Sequence, residues 1–530
     1  MTVIVSTPSG SERLIEIQAA RWRDNDIVAR MWSKDPTVWA DPPVPEIANR
    51  LNWLDAPSTS RSLTAEIEEL HAAAVAEDIE TIVLCGMGGS SLAPEVFAAT
   101  LVPTEGSPTL TVIDSTHPDA VEAVQAATNP VTTWYVIASK SGRTIETMSL
   151  YRFFWDRAAS VLTDPGSHFI AITDPGTSLD TLAHDRDFRA TILADPDVGG
   201  RYSALTAFGL VPAGLTGTDL PALLHAGREG AAMCGPEQPL EMNPGFTIGV
   251  LLGERAISGV DKAQFVTSGP VETIGIWIEQ LIAESTGKQG VGIIPIDRGP
   301  LLNGSPGATI IRIGHDTTGE GNVTITVDDP YDVAAVMFIL EFATSVAGEI
   351  LGINPFDQPN VEMAKKLAKE AMEGGIASPE VAPIDVEDPA WIEALTALFG
   401  STEPSYVSIQ AYVPQDPDTD SLLETLRGVF SRFLAVYTTT GFGPRFLHST
   451  GQLHKGGPAG GVFLQVVDDT GTTLRVPETA YSFNELIEAQ ALGDRAALAA
   501  SKRGVVAVSL GADRKSGLQS MIEQVERAFS

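Results

Sequence analysis

Cysteine is almost missing from this chain: Cys85 and Cys234 are the only two in 530 residues. Two thiols exclude a disulfide framework and a thiolate metal site, and each reads as a small buried apolar side chain. Cationic residues are also scarce, 34 against 68 acidic ones, for a formal net charge of −34. No run of roughly five or six basic residues breaks that balance, so neither nucleic acid nor an anionic membrane is an expected partner. The longest apolar stretch, 333–348, is interrupted by Glu341 and reads as too short to span a bilayer. The first twelve residues lack the basic segment and apolar run of a secretory signal. These absences point to a reducing cytoplasm. His117 and His315 have no metal-ligand spacing to another His or Cys. Asp416, Asp418 and Asp420 alternate like the start of a calcium loop, but Ser421 replaces the turn glycine and Arg427 the closing glutamate. No metal and no cofactor is expected.

What is present suffices for more than one core, because 43% of the residues are hydrophobic. Residues 1–60 read as amphipathic helices punctuated by Pro36, Pro42, Pro43, Pro45 and Pro57. Strand-like runs at 81–85, 110–113, 134–138 and 168–172 then alternate with helical stretches such as 148–162. A second alternation begins near Gly245. Its candidate strands are 263–266, 292–296, 308–313, 407–413, 461–467 and 505–510, and its candidate helices include 272–285, 331–351, 421–438, 483–502 and 515–530. The stretch 373–388 reads as a loop or hinge. The pattern predicts an α/β protein: two doubly wound, mainly parallel lobes, 61–230 and 231–530, behind an N-terminal helical segment, 1–60.

Two clusters follow strands of the first lobe. Gly86, Gly88 and Gly89 lead into Ser90 and Ser91, where glycines permit close backbone approach and the next helix offers free amides to an anion. This is not the dinucleotide fingerprint, since Ser91 stands where its third glycine belongs. The second cluster runs Ser139, Lys140, Ser141, Gly142, Arg143, Thr144 and on to Glu146. Hydroxyls, amides and two cations at a helix start are the chemistry of a phosphate cradle, whereas a plain capped helix needs only one such hydroxyl.

Together the clusters resemble the sugar-isomerase domain, and four further segments narrow the resemblance to the glucose-6-phosphate isomerase family. These are Gly199-Gly200-Arg201, the stretch from Gln280 through Glu284 to Lys288, the stretch from Asn354 through Gln358 to Lys365, and His448 with Gln452. The segments 30–36 and 445–457 are also similar to the isomerase half of bifunctional transaldolase–isomerase proteins, although this chain is too short to hold a transaldolase barrel as well. The resemblance implies interconversion of glucose 6-phosphate and fructose 6-phosphate through ring opening and an enediol. It makes Glu284 the base, Arg201 the stabiliser of negative charge, and His448 with Lys365 the ring-opening pair. It assigns Gly89, Ser90, Ser139, Lys140, Ser141, Thr144, Gln280 and Gln358 to the sugar phosphate. It further implies a homodimer and a functional link to a separate transaldolase. Open beside it stand His454 as the rival histidine, Glu284 spent on a salt bridge to Lys288, activity on mannose 6-phosphate, and a non-catalytic phosphosugar-binding regulator. The motif order Glu284, Lys365, His448 departs from the common isomerases, in which the histidine motif lies between the other two.

Overall fold

The computed structural model describes residues 1–5, 11–42, 44–302, 307–319, 321–372, 382–401, 404–469, 471 and 473–530; the side chains of 2–5, 362, 364–366, 369 and 371 are outside that description. The architecture is α/β, built on three five-stranded, mainly parallel sheets. In the first, the order is Thr109–Ile113, Thr81–Cys85, Thr133–Ala138, Phe169–Thr173 and Ala190–Leu193, all parallel. Thr133–Ala138 and Phe169–Thr173 are buried at every residue, as expected of a sheet covered by helices on both faces. From Thr81–Cys85 the chain moves to one neighbour, Thr109–Ile113, and from Thr133–Ala138 it moves the other way. Adjacent strands that diverge like this open a crevice at their carboxyl ends. The two motif clusters leave from those two ends.

The second sheet runs Thr2–Val5, Val323–Thr326, Thr309–Gly314, Lys262–Thr267 and Ile294–Asp297, with only Thr2–Val5 antiparallel. The third runs Ile384–Asp385, Gly504–Ser509, Gly461–Val467, Tyr406–Tyr412 and Tyr437–Phe442, all parallel. The span 231–530, read from sequence as one lobe, therefore carries two sheets. Alternation reveals strands but not which of them pair. The helix expected at 421–438 runs into an unforeseen strand: the helix Pro417–Leu434 stops where Ala435 turns left-handed, φ 49°, and three threonines lie in Tyr437–Phe442. The N-terminal segment is helical at Ser11–Asp24 and Ile27–Trp32, but its first residues add a β-branched edge strand to the second sheet. Of the expected loop, residues 373–381 lie outside the described residues, and Ile384–Asp385 is an edge strand.

Among the described residues one helix, Pro330–Leu351, is long and apolar enough to cross a membrane, yet 89% of its apolar window is buried inside the protein. It packs against Pro244–Ile257 and Leu220–Met233 in a core shared with the first two sheets. The third sheet has its own core around Val407, Ile409, Phe430, Leu464, Val508 and Met521. Ile294 and Ile296 meet Tyr406, Tyr437 and Phe463 along the seam between the second and third sheets.

Candidate active site

The helix Gly275–Thr286 buries Ile278, Leu281 and Ile282 in the core. One helical turn separates Gln280 from Glu284, which places both on one face. Gln280 Nε2 donates to Glu284 Oε2 at 3.1 Å and to the carbonyl of His448 at 2.8 Å. From the opposite side, Arg201 Nη1 lies 3.1 Å from Glu284 Oε1, with side-chain exposures of 2% and 12%. Arg201 also donates through Nε to Ser285 Oγ (2.8 Å), through Nη1 to Gln358 Oε1 (2.9 Å), and through Nη2 to the carbonyls of Pro355 (2.7 Å) and Asp357 (2.9 Å). Four guanidinium hydrogen bonds thus hold Arg201 in place beside the Glu284 carboxylate. Lys288 does not pair with Glu284. Its ammonium donates to the carbonyls of Asn354 and Asp357 and to the Asp357 carboxylate, at 2.8, 2.6 and 2.7 Å. Burial, followed by the nearby Arg201 charge, pushes Lys288 down to about 8.

The first glycine cluster holds these pieces together. Gly88 has φ 55°, and a Cβ there would sit 2.6 Å from the His448 carbonyl oxygen and 2.7 Å from Gln280 Nε2. A Cβ on Gly89 would fall 2.0 Å from the Gly200 carbonyl oxygen. These glycines let the turn Gly88–Ser90 pack directly on the backbone that presents Arg201 and His448. Ser90 is buried in that turn, while Ser91 Oγ donates to Asp114 at 3.0 Å.

His448 closes the short turn Arg445–His448 that follows the strand Tyr437–Phe442. Its side chain is 14% exposed, and Nε2 lies 2.9 Å from Glu146 Oε1. The rival His454 is buried among Tyr406, Phe446 and Phe463, bonded to Gln410 at 3.1 Å and Ser408 at 3.4 Å. Burial first, and the Lys455 charge second, hold its imidazole well below the ordinary 6.5. It touches neither Glu284 nor Arg201 in the described contacts. Gln452 resolves the altered motif order. Its Oε1 accepts from the Asn360 amide at 2.8 Å, and its Nε2 donates to Asn360 Oδ1 at 2.7 Å and to the Gly287 carbonyl at 2.9 Å. One buried amide therefore ties the histidine segment to the end of the glutamate helix and to the helix Pro359–Met372, which carries Lys365. The Lys365 side chain lies outside the described residues. Glu284, Arg201 and His448 gather within a single chain.

In the second cluster, Ser139 Oγ and Thr144 Oγ1 bond each other at 3.0 Å. Thr144 occupies the N-cap of the helix Ile145–Ala159 but makes no side-chain cap bond, so the first amides of that helix face the crevice uncapped. Ser141 is exposed, and its Oγ accepts from the Arg143 amide at 3.3 Å. Lys140 turns away, to Asp174 at 2.8 Å and the Pro196 carbonyl at 3.1 Å. Burial lowers its pKa. An anion here meets amides, hydroxyls and a helix dipole, with Arg143 as the exposed cation of the loop.

The sequence-derived residues fall into two connected groups: Gln280, Glu284, Arg201, Gln358, Gly89 and His448 in one, and Ser139, Ser141 and Thr144 in the other. Glu146 joins them, because it sits in the first turn of the second group's helix and bonds His448. Sequence reasoning quoted Glu146 without giving it a role. Its position two residues after the cradle's last hydroxyl was the available signal.

A family model described as phosphoglucose isomerase matches residues 58–308. That match contains Arg201, Gln280 and Glu284, while Gln358, Lys365 and His448 lie beyond it. The chain is 28% identical over 418 residues to the glucose-6-phosphate isomerase of Rubrobacter xylanophilus, covering 66% of this chain and 93% of that one. It is 27% identical over 389 residues to the enzyme of the same name from Symbiobacterium thermophilum, covering 59% and 85%. A crystal structure of a glucose-6-phosphate isomerase from Chlamydia trachomatis shares the fold, with a TM-score of 0.62 at 18% identity over 75% of this chain and 91% of that chain. By the family-model match over residues 58–308, by sequence and by shared fold, this chain is similar to the phosphoglucose isomerases.

Proposed function

We propose that this protein interconverts glucose 6-phosphate and fructose 6-phosphate, with Glu284 as the proton-transferring base. One observation carries the reading: a carboxylate held between Arg201 and Gln280 reaches, through Gln280, the segment of an imidazole that is itself paired with Glu146. The phosphate of the sugar docks on the amides and hydroxyls of Ser139, Ser141 and Thr144. His448 and Lys365 exchange the proton between the ring oxygen and the anomeric hydroxyl, which opens the ring. Glu284 then takes the C2 proton of the open-chain aldose. The C2–H electron pair forms the C1–C2 double bond, and the carbonyl pair moves onto O1 to give the enediolate. Return of the proton to C1, with transfer of the hydroxyl proton from O2 to O1, completes the ketose. Arg201 offsets the negative charge by proximity, with four of its N–H groups bonded to protein partners.

The same reading carries the homodimer and the cytoplasmic setting that the resemblance implies, and light scattering on purified protein decides the first. The test of function is conversion of fructose 6-phosphate to glucose 6-phosphate, read by coupled NADP reduction, with mannose 6-phosphate run in parallel. Turnover of fructose 6-phosphate supports the reading, and no turnover at substrate saturation contradicts it.

A further inference from the structure

Behind the imidazole lies a buried amide that the reaction scheme leaves unused. Gln490 sits on the helix Phe483–Ala500, only 3% exposed. Its Nε2 donates at 2.7 Å to Glu146 Oε1, the oxygen that also faces His448 Nε2 at 2.9 Å. Its Oε1 accepts the hydroxyl of the fully buried Thr116 at 2.7 Å. These bonds fix the orientation of the amide. A carboxylate only accepts, so Nε2 must face Glu146 and Oε1 must face the hydroxyl. Turning the amide over would set two acceptor oxygens against each other. Thr116 follows the strand Thr109–Ile113, Glu146 opens the helix after Thr133–Ala138, and Gln490 precedes the strand Gly504–Ser509. Three segments distant in the chain are thus linked in one hydrogen-bonded series, from Thr116 through Gln490 to Glu146.

We infer that Gln490 is a positioning residue for ring opening, resting on the proposed role of His448. It holds the Glu146 carboxylate so that Oε1 receives the Nε2 proton of His448. That bond selects the tautomer with its proton on Nε2. Nδ1, which has no protein partner among the described residues, is then the nitrogen whose lone pair is left for the sugar. Without Gln490, Oε1 of Glu146 loses a donor, and the imidazole's partner is held less firmly in place.

The test compares two ketoses. Fructose 6-phosphate is chiefly cyclic, whereas 5-deoxyfructose 6-phosphate lacks the hydroxyl that closes the furanose and needs no ring opening. Gln490→Met keeps the volume and removes both bonds. The variant is expected to lose on the order of 10-fold in kcat on fructose 6-phosphate with KM nearly unchanged. On the 5-deoxy sugar it is expected to match the wild type. Thr116→Val, which removes only the hydroxyl that orients the amide, is expected to act in the same direction and less strongly. Equal loss on both sugars would show a merely structural amide and overturn the inference, as would no loss on either. A wild-type protein inert toward both sugars would instead overturn the isomerase reading, and the inference with it.

Discussion

Arg201 Nη1 lies 3.1 Å from Glu284 Oε1, at the centre of a guanidinium that also holds Ser285, Gln358 and the carbonyls of Pro355 and Asp357. Arg201→Met leaves a partly buried carboxylate without its counter-charge and the Pro355 carbonyl without its donor. The variant is expected to lose on the order of 10²-fold or more in kcat and about 3 kcal/mol of stability. Steady-state kinetics and urea unfolding on the same preparation read both. Arg201→Lys restores the charge but not the fork, so it is expected to recover only part of either loss. Full activity in the methionine variant would place the stabilising charge elsewhere.

Gly89 and Gly400 make a matched pair of tests. A Cβ at Gly89 would lie 2.0 Å from the Gly200 carbonyl oxygen, so Gly89→Ala must push apart the two turns that carry Ser90 and Arg201. A cost of about 1–3 kcal/mol is expected, together with a lower kcat/KM, because Arg201 moves with Gly200. Gly400 lies in the helix Ala390–Ser401 with nothing within 4 Å of an added Cβ. Gly400→Ala is expected to be neutral or to stabilise by roughly 0.5 kcal/mol. Equal denaturation midpoints for the two variants would contradict the close packing of the glycine turn.

Glu341 lies in the middle of the core helix, 2% exposed, with Oε1 unpartnered. Burial raises its pKa well above the ordinary 4.5. The native protein therefore keeps a proton that the unfolded chain has already released. Because the native state binds more protons, stability contributed by this residue falls as pH rises above about 4.5. Glu341→Gln removes that dependence. Its urea midpoint is expected to decline less than the wild type's between roughly pH 6 and pH 9. Parallel declines would mean that Glu341 finds a partner or water that stabilises its charge.

The candidate site was legible in the sequence where local order dictates geometry. One helical turn sets Gln280 beside Glu284, and a strand end followed by hydroxyls sets Ser139 beside Thr144. The mainly parallel α/β class was legible for the same reason, since alternation is a local property. Long-range pairing was not. Nothing near Lys140 in sequence announces Asp174, nor does anything near Lys288 announce Asp357, so both lysines looked freer than they are. Gln490 belongs to a helix that reads as ordinary core, and only the folded chain brings it to Glu146. The edge strand Tyr437–Phe442 was hidden because it follows its helix closely and Ala435 ends that helix without a glycine to mark the place.

The most direct test of the central claim is proton transfer in deuterated water, followed by NMR on fructose 6-phosphate with wild-type protein and Glu284→Gln. Wild-type protein is expected to yield glucose 6-phosphate carrying deuterium at C2. The variant is expected to incorporate deuterium roughly 10³-fold more slowly while still binding the sugar phosphate. Near-normal incorporation by Glu284→Gln would contradict the account, because the base would then have to be another group.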